Sequence, residues 1–467
     1  MAEPADTKLN TEMFKGKIFV KNIWGKFQAQ RWKVFLFLLA GWYILPWLRI
    51  GDRPAVLLDI PARKFHILWI TFWPQDVYLL TLALITCALL LFGATMLVGR
   101  AWCGYTCPQT VGTSLYLEIE RWIDGDRPQQ LRLAKAPWGP DKIKKRLFKH
   151  GLWVLLSFAL SLNLLFYFVP AAEALHRLAT LSLSPTNLFF LCFFAVLAYA
   201  DFGHARDWVC KFPCPYGRFQ GIMTDPDSLV VTFDVKRGEP RQFFRKGEER
   251  TAGDCVSCNL CVDVCPTGID IRNGLQYECI SCMRCVDACD HVMGKVGFEA
   301  GLIRLSSERE VSGQPKAKFR PRLAFYGVVL TAVLGTMVAS IALRPTTELD
   351  VVRNRSFVYQ QLSDGRISNV YMVKALNKDD TNHHYRLEIE GLDAQVIGGS
   401  KDIEARSGEV VQQSVALALS PDRDAKSVGR FTFVLVDAES GKKVARRSST
   451  FILPEREAHE AHKETEE

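Results

Sequence analysis

Between Cys255 and Cys289 the chain writes one cysteine spacing twice: Cys255, Cys258, Cys261, Cys265-Pro266, and then Cys279, Cys282, Cys285, Cys289-Asp290. Each run is C-x2-C-x2-C-x3-C, the pattern in which three thiolates hold one 4Fe-4S cube and the fourth reaches across to the other. Cluster one would take Cys255, Cys258, Cys261 and Cys289, and cluster two Cys279, Cys282, Cys285 and Cys265. Two cubes so close form an electron relay. Structural zinc also uses C-x2-C pairs, but a tetrahedral site needs four ligands and has no use for a third cysteine at the same step, in duplicate. Asp290 stands where the second run would carry proline. Proline is not a ligand, so binding survives, while the local turn is left open.

A second repeat lies nearer the N-terminus. Arg100-Ala101-Trp102-Cys103-Gly104-Tyr105-Thr106-Cys107-Pro108 and Arg206-Asp207-Trp208-Val209-Cys210-Lys211-Phe212-Pro213-Cys214-Pro215 share an R-x-W, C-x3-C-P pattern. Residues four apart share a helix face, so each pair would put two sulfurs on one turn. Cys103, Cys107, Cys210 and Cys214 are therefore candidate copper or redox thiols; the alternatives are a further iron-sulfur cluster or reduced structural cysteines. Cys87 and Cys192, inside apolar stretches, read as small apolar residues.

These residues need a scaffold, and the pattern of charge supplies one. Uncharged apolar stretches run from Val77 to Val98, Gly151 to Ala172, Leu178 to Ala200 and Leu323 to Leu343, each long enough to cross a bilayer as a helix. Val34 to Leu48 is a shorter fifth candidate, with Trp32, Trp42 and Trp47 as interfacial anchors. Each C-x3-C-P motif falls at the inner end of a span. Lys and Arg collect in the N-terminal arm (Lys15, Lys17, Lys21, Lys26) and between Arg121 and Lys149, which places those segments inside. Five spans then put the N-terminus and the cysteine-rich region in the cytoplasm and the C-terminal segment outside. All fourteen cysteines precede Asp290, so the outer segment carries none. The net charge of +8 suits inner loops facing an anionic leaflet, and no nucleic-acid module claims it.

After Leu343 short alternating runs at Phe357–Tyr359, 367–373, 385–389, Val410–Leu419 and 431–436 read as an immunoglobulin-like β-sandwich. His383-His384 falls in an expected turn there and, with no methionine or cysteine cluster beside it, reads as solvated rather than as a copper site. The acidic tail from Glu455 to Glu467 is expected to be disordered. His66, His150, His176 and His204 lie at or beyond the ends of the expected spans, which speaks against intramembrane haem. No G-x-G-x-x-G fingerprint follows a strand, so electrons are expected from another carrier rather than directly from NADH.

The expected fold is thus a multi-domain chain: an α-helical membrane bundle of five spans, an inserted bacterial two-cluster ferredoxin-like domain, and a C-terminal immunoglobulin-like β-sandwich. Its parts are a basic arm at 1–33, four spans at 34–201, a cytoplasmic region at 202–322 with the ferredoxin at about 245–300, a fifth span at 323–343, the sandwich at 344–455 and the tail at 456–467.

In this order of parts the chain closely resembles the CcoG, RdxA or FixG family of cytochrome c oxidase accessory proteins, membrane polyferredoxins linked to assembly of the cbb3-type oxidase. The double ferredoxin run is shared with many proteins and the C-x3-C-P pair with quinol-linked polyferredoxins; the sandwich after the last span makes the match specific. The resemblance implies two 4Fe-4S clusters, reduction of Cu(II) to Cu(I) for the oxidase copper centre, a bacterial inner-membrane location, and oxidase assembly factors or copper chaperones as partners. The electron donor is unidentified, and a homodimer is compatible with the sequence. Two other readings stand beside it: a quinol-linked electron conduit in which copper plays no part, and an assembly scaffold whose clusters are structural.

Overall fold

The computed structural model describes residues 17–51, 53–243, 253–315, 317, 319–354, 357–379, 381–420 and 428–453. Lys15 and the acidic tail lie outside the described residues. The chain folds as two units, 1–338 and 339–467.

The first unit is built on long helices. Helix α1 spans Lys26–Ile44, and α2 spans Val77–Val98, the stretch expected from the sequence. Between them Arg49–Ile50 (β1) pairs with Arg53–Pro54 (β2), and Val56–Asp59 (β3), Lys64–Ile67 (β4) and Ile70–Phe72 (β5) form a small meander. Helices α3 (Ala101–Tyr105), α4 (Pro108–Asp124), α5 (Arg127–Lys135), α6 (Pro140–Leu165), α7 (Ala171–Ala179) and α8 (Pro185–Ala200) follow, and a π-turn at Asp201–Ala205 extends α8. On α2, Leu80, Leu84, Leu90 and Leu97 are all exposed, an arrangement that suits hydrocarbon rather than water.

Four expected spans begin or end elsewhere, the last by no more than two residues, at Pro321–Ala342 instead of Leu323–Leu343. The helix expected at Gly151–Ala172 starts at Pro140, because proline fits the first helical position and the following Lys142 to Lys149 stretch continues the helix into its basic end. It stops at Leu165, short of Pro170, which cannot continue a helix. The helix expected from Leu178 starts at Pro185, capped by Ser184, whose hydroxyl accepts from the Asn187 N–H at 3.3 Å. The first candidate, expected at Val34–Leu48, becomes Lys26–Ile44, since Pro46 opens a 3-10 turn. Among the described residues four helices are long and apolar enough to cross a membrane, at Pro74–Val98, Pro140–Leu165, Pro185–Ala205 and Pro321–Ala342; α1, carrying Arg31 and Lys33, is not one of them.

The ferredoxin-like region is small. After α9 (Asp207–Lys211) and α10 (Pro215–Met223), strand β6 (Val230–Phe233) pairs antiparallel with β7 (Ile303–Ser306). Between these strands lie α11 (Val235–Gly238), α12 (Leu260–Asp263) and α13 (Arg284–Val296). Val231, Phe233, Val286, Met293, Leu302 and Ile303 bury against Cys255 and Cys261 in one core. Helices α14 (Glu308–Ser312) and α15 (Pro321–Ala342) follow, and on α15 Phe325, Val328 and Val338 stand exposed.

The second unit is the expected β-sandwich. One sheet orders β12 (Gln395–Gly398), β14 (Val410–Leu419), β10 (Ile367–Asn377) and β8 (Thr347–Arg353), with β9 (Gln360–Gln361) pairing β10; the other orders β13 (Asp402–Ala405), β11 (His383–Glu390), β15 (Val428–Asp437) and β16 (Lys443–Ile452). Tyr371 packs edge-on against Phe431 and Phe433 between the sheets, and its hydroxyl donates across to the Thr450 carbonyl at 2.8 Å. Two expectations change here. Phe357–Tyr359 is not a strand; the pairing begins at Gln360. His383 and His384 open strand β11 instead of a turn, and Asp379 and Asp437 each lie 3.1 Å from His383.

Candidate functional site

Two sets of four cysteines surround two separate spaces. Cys279, Cys282, Cys285 and Cys265 line one, together with Ile271 and Met283. Cys255, Cys258, Cys261 and Cys289 line the other, together with Phe233 and Leu302. Cys261 also borders the first space, so the two chambers share a wall. This is the crossed partition expected from the spacing: the last cysteine of each run closes the other run's chamber. Burial pushes the Cys279 and Cys289 thiols up to about 12, so the protein alone holds them protonated, and binding of iron would release those protons. Among the described residues no three His, Cys, Asp or Glu side chains converge on a single metal-ion position. A cubane makes a different demand, since each thiolate takes its own iron at a corner of the cube. An all-thiol donor set walled by apolar side chains fits that demand.

The backbone repeats with the cysteines. Ser257 and Asn259 flank Cys258 with φ of 52° and 57°, and Ser281 and Met283 flank Cys282 with φ of 49° and 58°. Left-handed residues on both sides of the middle cysteine curl each loop around its chamber and turn successive N–H groups the same way, the concave geometry that suits anionic centres. Asp290 also gains an account. Cys265 lies just past the one-turn α12, where Pro266 can follow, whereas Cys289 lies within α13, which runs on to Val296. Proline at 290 would break that helix. Asp290 instead accepts the Gly301 N–H at 2.8 Å and ties α13 to the approach of β7.

The second cysteine repeat is arranged differently from expectation. Cys103 lies in α3, while Cys107 is the N-cap of α4, so the pair straddles a helix break instead of sharing one turn. Cys210 and Cys214 are split the same way, the first in α9 and the second directly before Pro215 of α10. Proline explains both: it opens a new helix rather than continuing the old one. The four thiols are nevertheless brought together. Burial pushes the Cys103 thiol up to about 12, and Cys107, Cys210 and Cys214 all lie near enough to add to that rise. Burial likewise raises Cys210 to about 12, with Cys107 and Cys214 adding to it. Burial also lifts Cys107, against the backbone N–H groups of Gln109 and Thr110.

What joins the two cysteine repeats is a glycine. A Cβ on Gly104 would lie 2.8 Å from the Ile280 carbonyl, 2.9 Å from the Ser281 carbonyl and 3.1 Å from Cα of Cys282. The backbone between Cys103 and Cys107 thus rests on the loop that carries Cys279 and Cys282. Arg31 of α1 donates to the Gly104 carbonyl at 2.9 Å, and the Tyr105 hydroxyl lies 3.6 Å from the Met283 sulfur. The other repeat touches the same chamber from another side. Lys211, next to Cys210, donates to the Thr267 carbonyl at 3.2 Å, and Thr267 Oγ1 lies 3.3 Å from Cys265 Sγ.

A buried ion cluster holds the helices that present this edge. Glu120 on α4 meets Lys17, Lys149 at 3.2 Å and Arg206 at 2.8 Å, and Lys149 also meets Asp124 at 2.7 Å. Burial would raise the Glu120 carboxyl, but Arg206, Lys17 and Lys149 overcome it and hold it down to about 2. His150 and His204, expected at or beyond span ends, lie within the helices Pro140–Leu165 and Pro185–Ala205 and stack with ring centres 6.1 Å apart. Gly104, Glu120 and Thr267 were not legible in the sequence: Glu120 is one of two carboxylates, with Glu118, between Leu117 and Trp122, and nothing local marked the other two.

These features define a class: an iron-sulfur electron-transfer protein with membrane-type apolar helices and a C-terminal immunoglobulin-like domain. Family models agree. A 4Fe-4S dicluster domain matches residues 205–308, a 4Fe-4S binding domain matches 80–118, and an Ig-like fold at the C-terminus of FixG matches 337–454. The nitrogen fixation protein FixG of Rhizobium meliloti (strain 1021) is 36% identical over 489 residues, covering 94% of this chain and 93% of that protein. The proteins RdxB and RdxA of Cereibacter sphaeroides are each 38% identical over 388 residues, covering 80% of this chain and 81% and 82% of theirs. The chain belongs to the FixG/RdxA family.

Proposed function

We propose that this protein reduces Cu(II) to Cu(I) at the inner face of a bacterial cytoplasmic membrane, in the service of cbb3-type oxidase assembly. Cys255, Cys258, Cys261 and Cys289 hold one cluster and Cys279, Cys282, Cys285 and Cys265 the other; Cys103, Cys107, Cys210 and Cys214 handle the metal. Held in those chambers, the 4Fe-4S cubes supply one-electron transfer. Each Cu(II) takes one electron and becomes Cu(I), the soft state that thiolates prefer over the imidazole and oxygen ligands of Cu(II).

The observation that carries this reading is the seat of Gly104 on the Ile280–Cys282 loop. It brings the backbone between Cys103 and Cys107 against the loop that carries Cys279 and Cys282. The two chambers share the wall at Cys261, so in this reading electrons pass from the chamber of Cys255 to the chamber of Cys279 and on to the membrane-edge thiols. The same packing favours five spans. Residues 17–28 lie against the ferredoxin region through Lys21 N–H to Asp263 and Arg284 to the Lys21 carbonyl, while Trp42, at the other end of α1, stacks on Tyr167 beyond the C-terminus of α6. A 19-residue helix covers about 28 Å, roughly the hydrocarbon thickness. With α1 as the first span, the ferredoxin region is cytoplasmic and the sandwich periplasmic, where it is available to bind assembly partners.

The test uses anaerobic, dithionite-reduced protein freed of reductant by gel filtration. Added Cu(II) should appear as Cu(I) with a Cu(I)-specific chelator, in step with loss of the reduced-cluster EPR signal. Clusters that stay reduced in the presence of Cu(II) would exclude the proposal.

A further inference from the structure

The first unit holds a cavity of about 710 Å³, of whose lining the reading above gives a chemical role only to Cys210. It opens between the N-terminal arm, the N-terminal half of α4, the Arg146–Trp153 stretch of α6, the turn after α8 and the ferredoxin loops. Its wall has three properties. It is cationic: Lys17, Lys149 and Arg206 line it and share the Glu120 carboxylate, with Lys149 also meeting Asp124 at 2.7 Å. Arg146, Lys211, Arg31 and Arg284 add further positive charge, offset by Asp207 beside Lys211 and by Asp124, which lies 3.7 Å from Arg146. Among the described residues the buried Arg284 Nε has no hydrogen-bond partner. It is aromatic as well, since Trp153, His150, His204 and Trp208 line it. Third, Pro266, Thr267 and Ile280 line both this cavity and the chamber of Cys279 and Cys285, and Cys210 lines it too.

We propose that this cavity is the electron-entry site and that it takes a phosphate-bearing flavin of the flavin mononucleotide kind. This rests on the reading of the chain as an electron carrier, but not on copper. A cavity of a few hundred cubic ångströms with apolar walls and a few fixed charges is the usual shape of a small-molecule site. Surplus Lys and Arg select an anion, and Arg favours phosphate in particular. Aromatic lining beside that charge favours a planar ligand. The shared wall selects a redox-active one, because a molecule resting there has only Pro266-Thr267 and Ile280 between itself and the cysteine chamber. Oxidation of the reduced flavin releases two electrons and two protons. The electrons leave singly to the one-electron iron-sulfur centres behind Thr267, one to each of two oxidised centres, and the protons leave to solvent along His150 and His204. One bound flavin so matches two one-electron carriers.

The experiment uses the full-length, cluster-loaded protein in nanodiscs under anaerobic conditions, without copper. Flavin mononucleotide should bind with its fluorescence quenched, and about tenfold more tightly than riboflavin, which lacks the phosphate. Arg146→Gln should remove most of that difference, and Ser114→Phe, which puts bulk into the cavity, should abolish binding of both, each with iron content unchanged. Photoreduced flavin mononucleotide should reduce the clusters in the parent protein and at least tenfold more slowly in both variants, while reduction by dithionite stays the same. Equal affinity for riboflavin, binding indifferent to both substitutions, or cluster reduction by a short-chain quinol and not by flavin would each overturn the proposal. Because no copper is present, failure of copper reduction leaves this result standing, and the reverse.

Discussion

Gly25 lies against the carboxylate of Asp287: a Cβ at Gly25 would stand 2.4 Å from Cγ of Asp287. Gly25 is the N-cap of α1 with extended backbone, so space and not backbone strain demands glycine there. Asp287, on α13, accepts the N–H groups of Phe27 at 3.1 Å and Gln28 at 2.8 Å, two of the unpaired donors at the start of α1. A carboxylate of the ferredoxin region thus caps the first membrane-region helix.

Asp287→Ala removes that cap and should cost about 1 kcal/mol, the usual worth of an N-cap carboxylate. Gly25→Ala keeps the carboxylate but drives a methyl into it, and should cost at least as much. Thermal unfolding in detergent should show both losses, and limited proteolysis should cut nearer residue 25 in both. Asp287 lies between Cys285 and Cys289, so its loss should also speed iron release; unchanged iron retention with a lowered melting temperature would confine its role to α1.

Cys265→Ser tests the crossed ligand sets. Because Cys265 lines the chamber of Cys279, Cys282 and Cys285, iron should fall by about half and the remaining EPR signal should belong to the set of Cys255, Cys258 and Cys261. Loss confined to that first set would reverse the assignment.

Replacing Cys210 and Cys214 with serine exchanges soft ligands for hard ones and should weaken Cu(I) retention at least tenfold while the eight ferredoxin cysteines keep their iron. The 4Fe-4S binding domain matched at 80–118 holds Cys103 and Cys107, which gives this variant a second informative outcome. A fall in iron equal to one cube would identify a third iron-sulfur site at the four thiols and withdraw copper from them.

Glu120→Gln leaves Lys17, Lys149 and Arg206 without their shared carboxylate in a buried place, and should destabilise the first unit by about 3–5 kcal/mol at neutral pH. The pH dependence has a definite sign. Glu120 is held at about 2 in the fold against an ordinary value of 4.5, so its contribution is complete above about pH 4.5 and is lost as pH falls toward 2. The gap in melting temperature between parent and variant should therefore close over that window; a gap constant down to pH 2 would mean that the carboxylate's charge is not what stabilises the cluster.

Topology is checked with reporters at three places. If α1 is a span, a cytoplasm-only reporter at the N-terminus and one near Gly238 should both be active, and a periplasm-only reporter at the C-terminus should be active as well. With α1 outside the membrane, the N-terminal reporter would fall silent while the other two kept their activity.

The sequence made two cysteine chambers legible, because thiolate spacing around a cube is a local property and two identical runs leave few ways to close two cubes. It also determined α2 to the residue and the sandwich class, since long uncharged runs and strict alternation respond to solvent rather than to particular neighbours. Apolarity did not mark the other helix ends: Pro140 and Pro185 open helices away from where the uncharged stretches begin, and Pro108 and Pro215 break each C-x3-C pair in two. The tertiary structure alone decided what lies against what. That Gly104 rests on Cys282, that Glu120 gathers three cations from the arm, α6 and the turn after α8, and that Asp287 caps a helix some 260 residues upstream are contacts between segments far apart in the chain. Each depends on packing many side chains at once, and no periodicity or spacing along the chain encodes such a meeting.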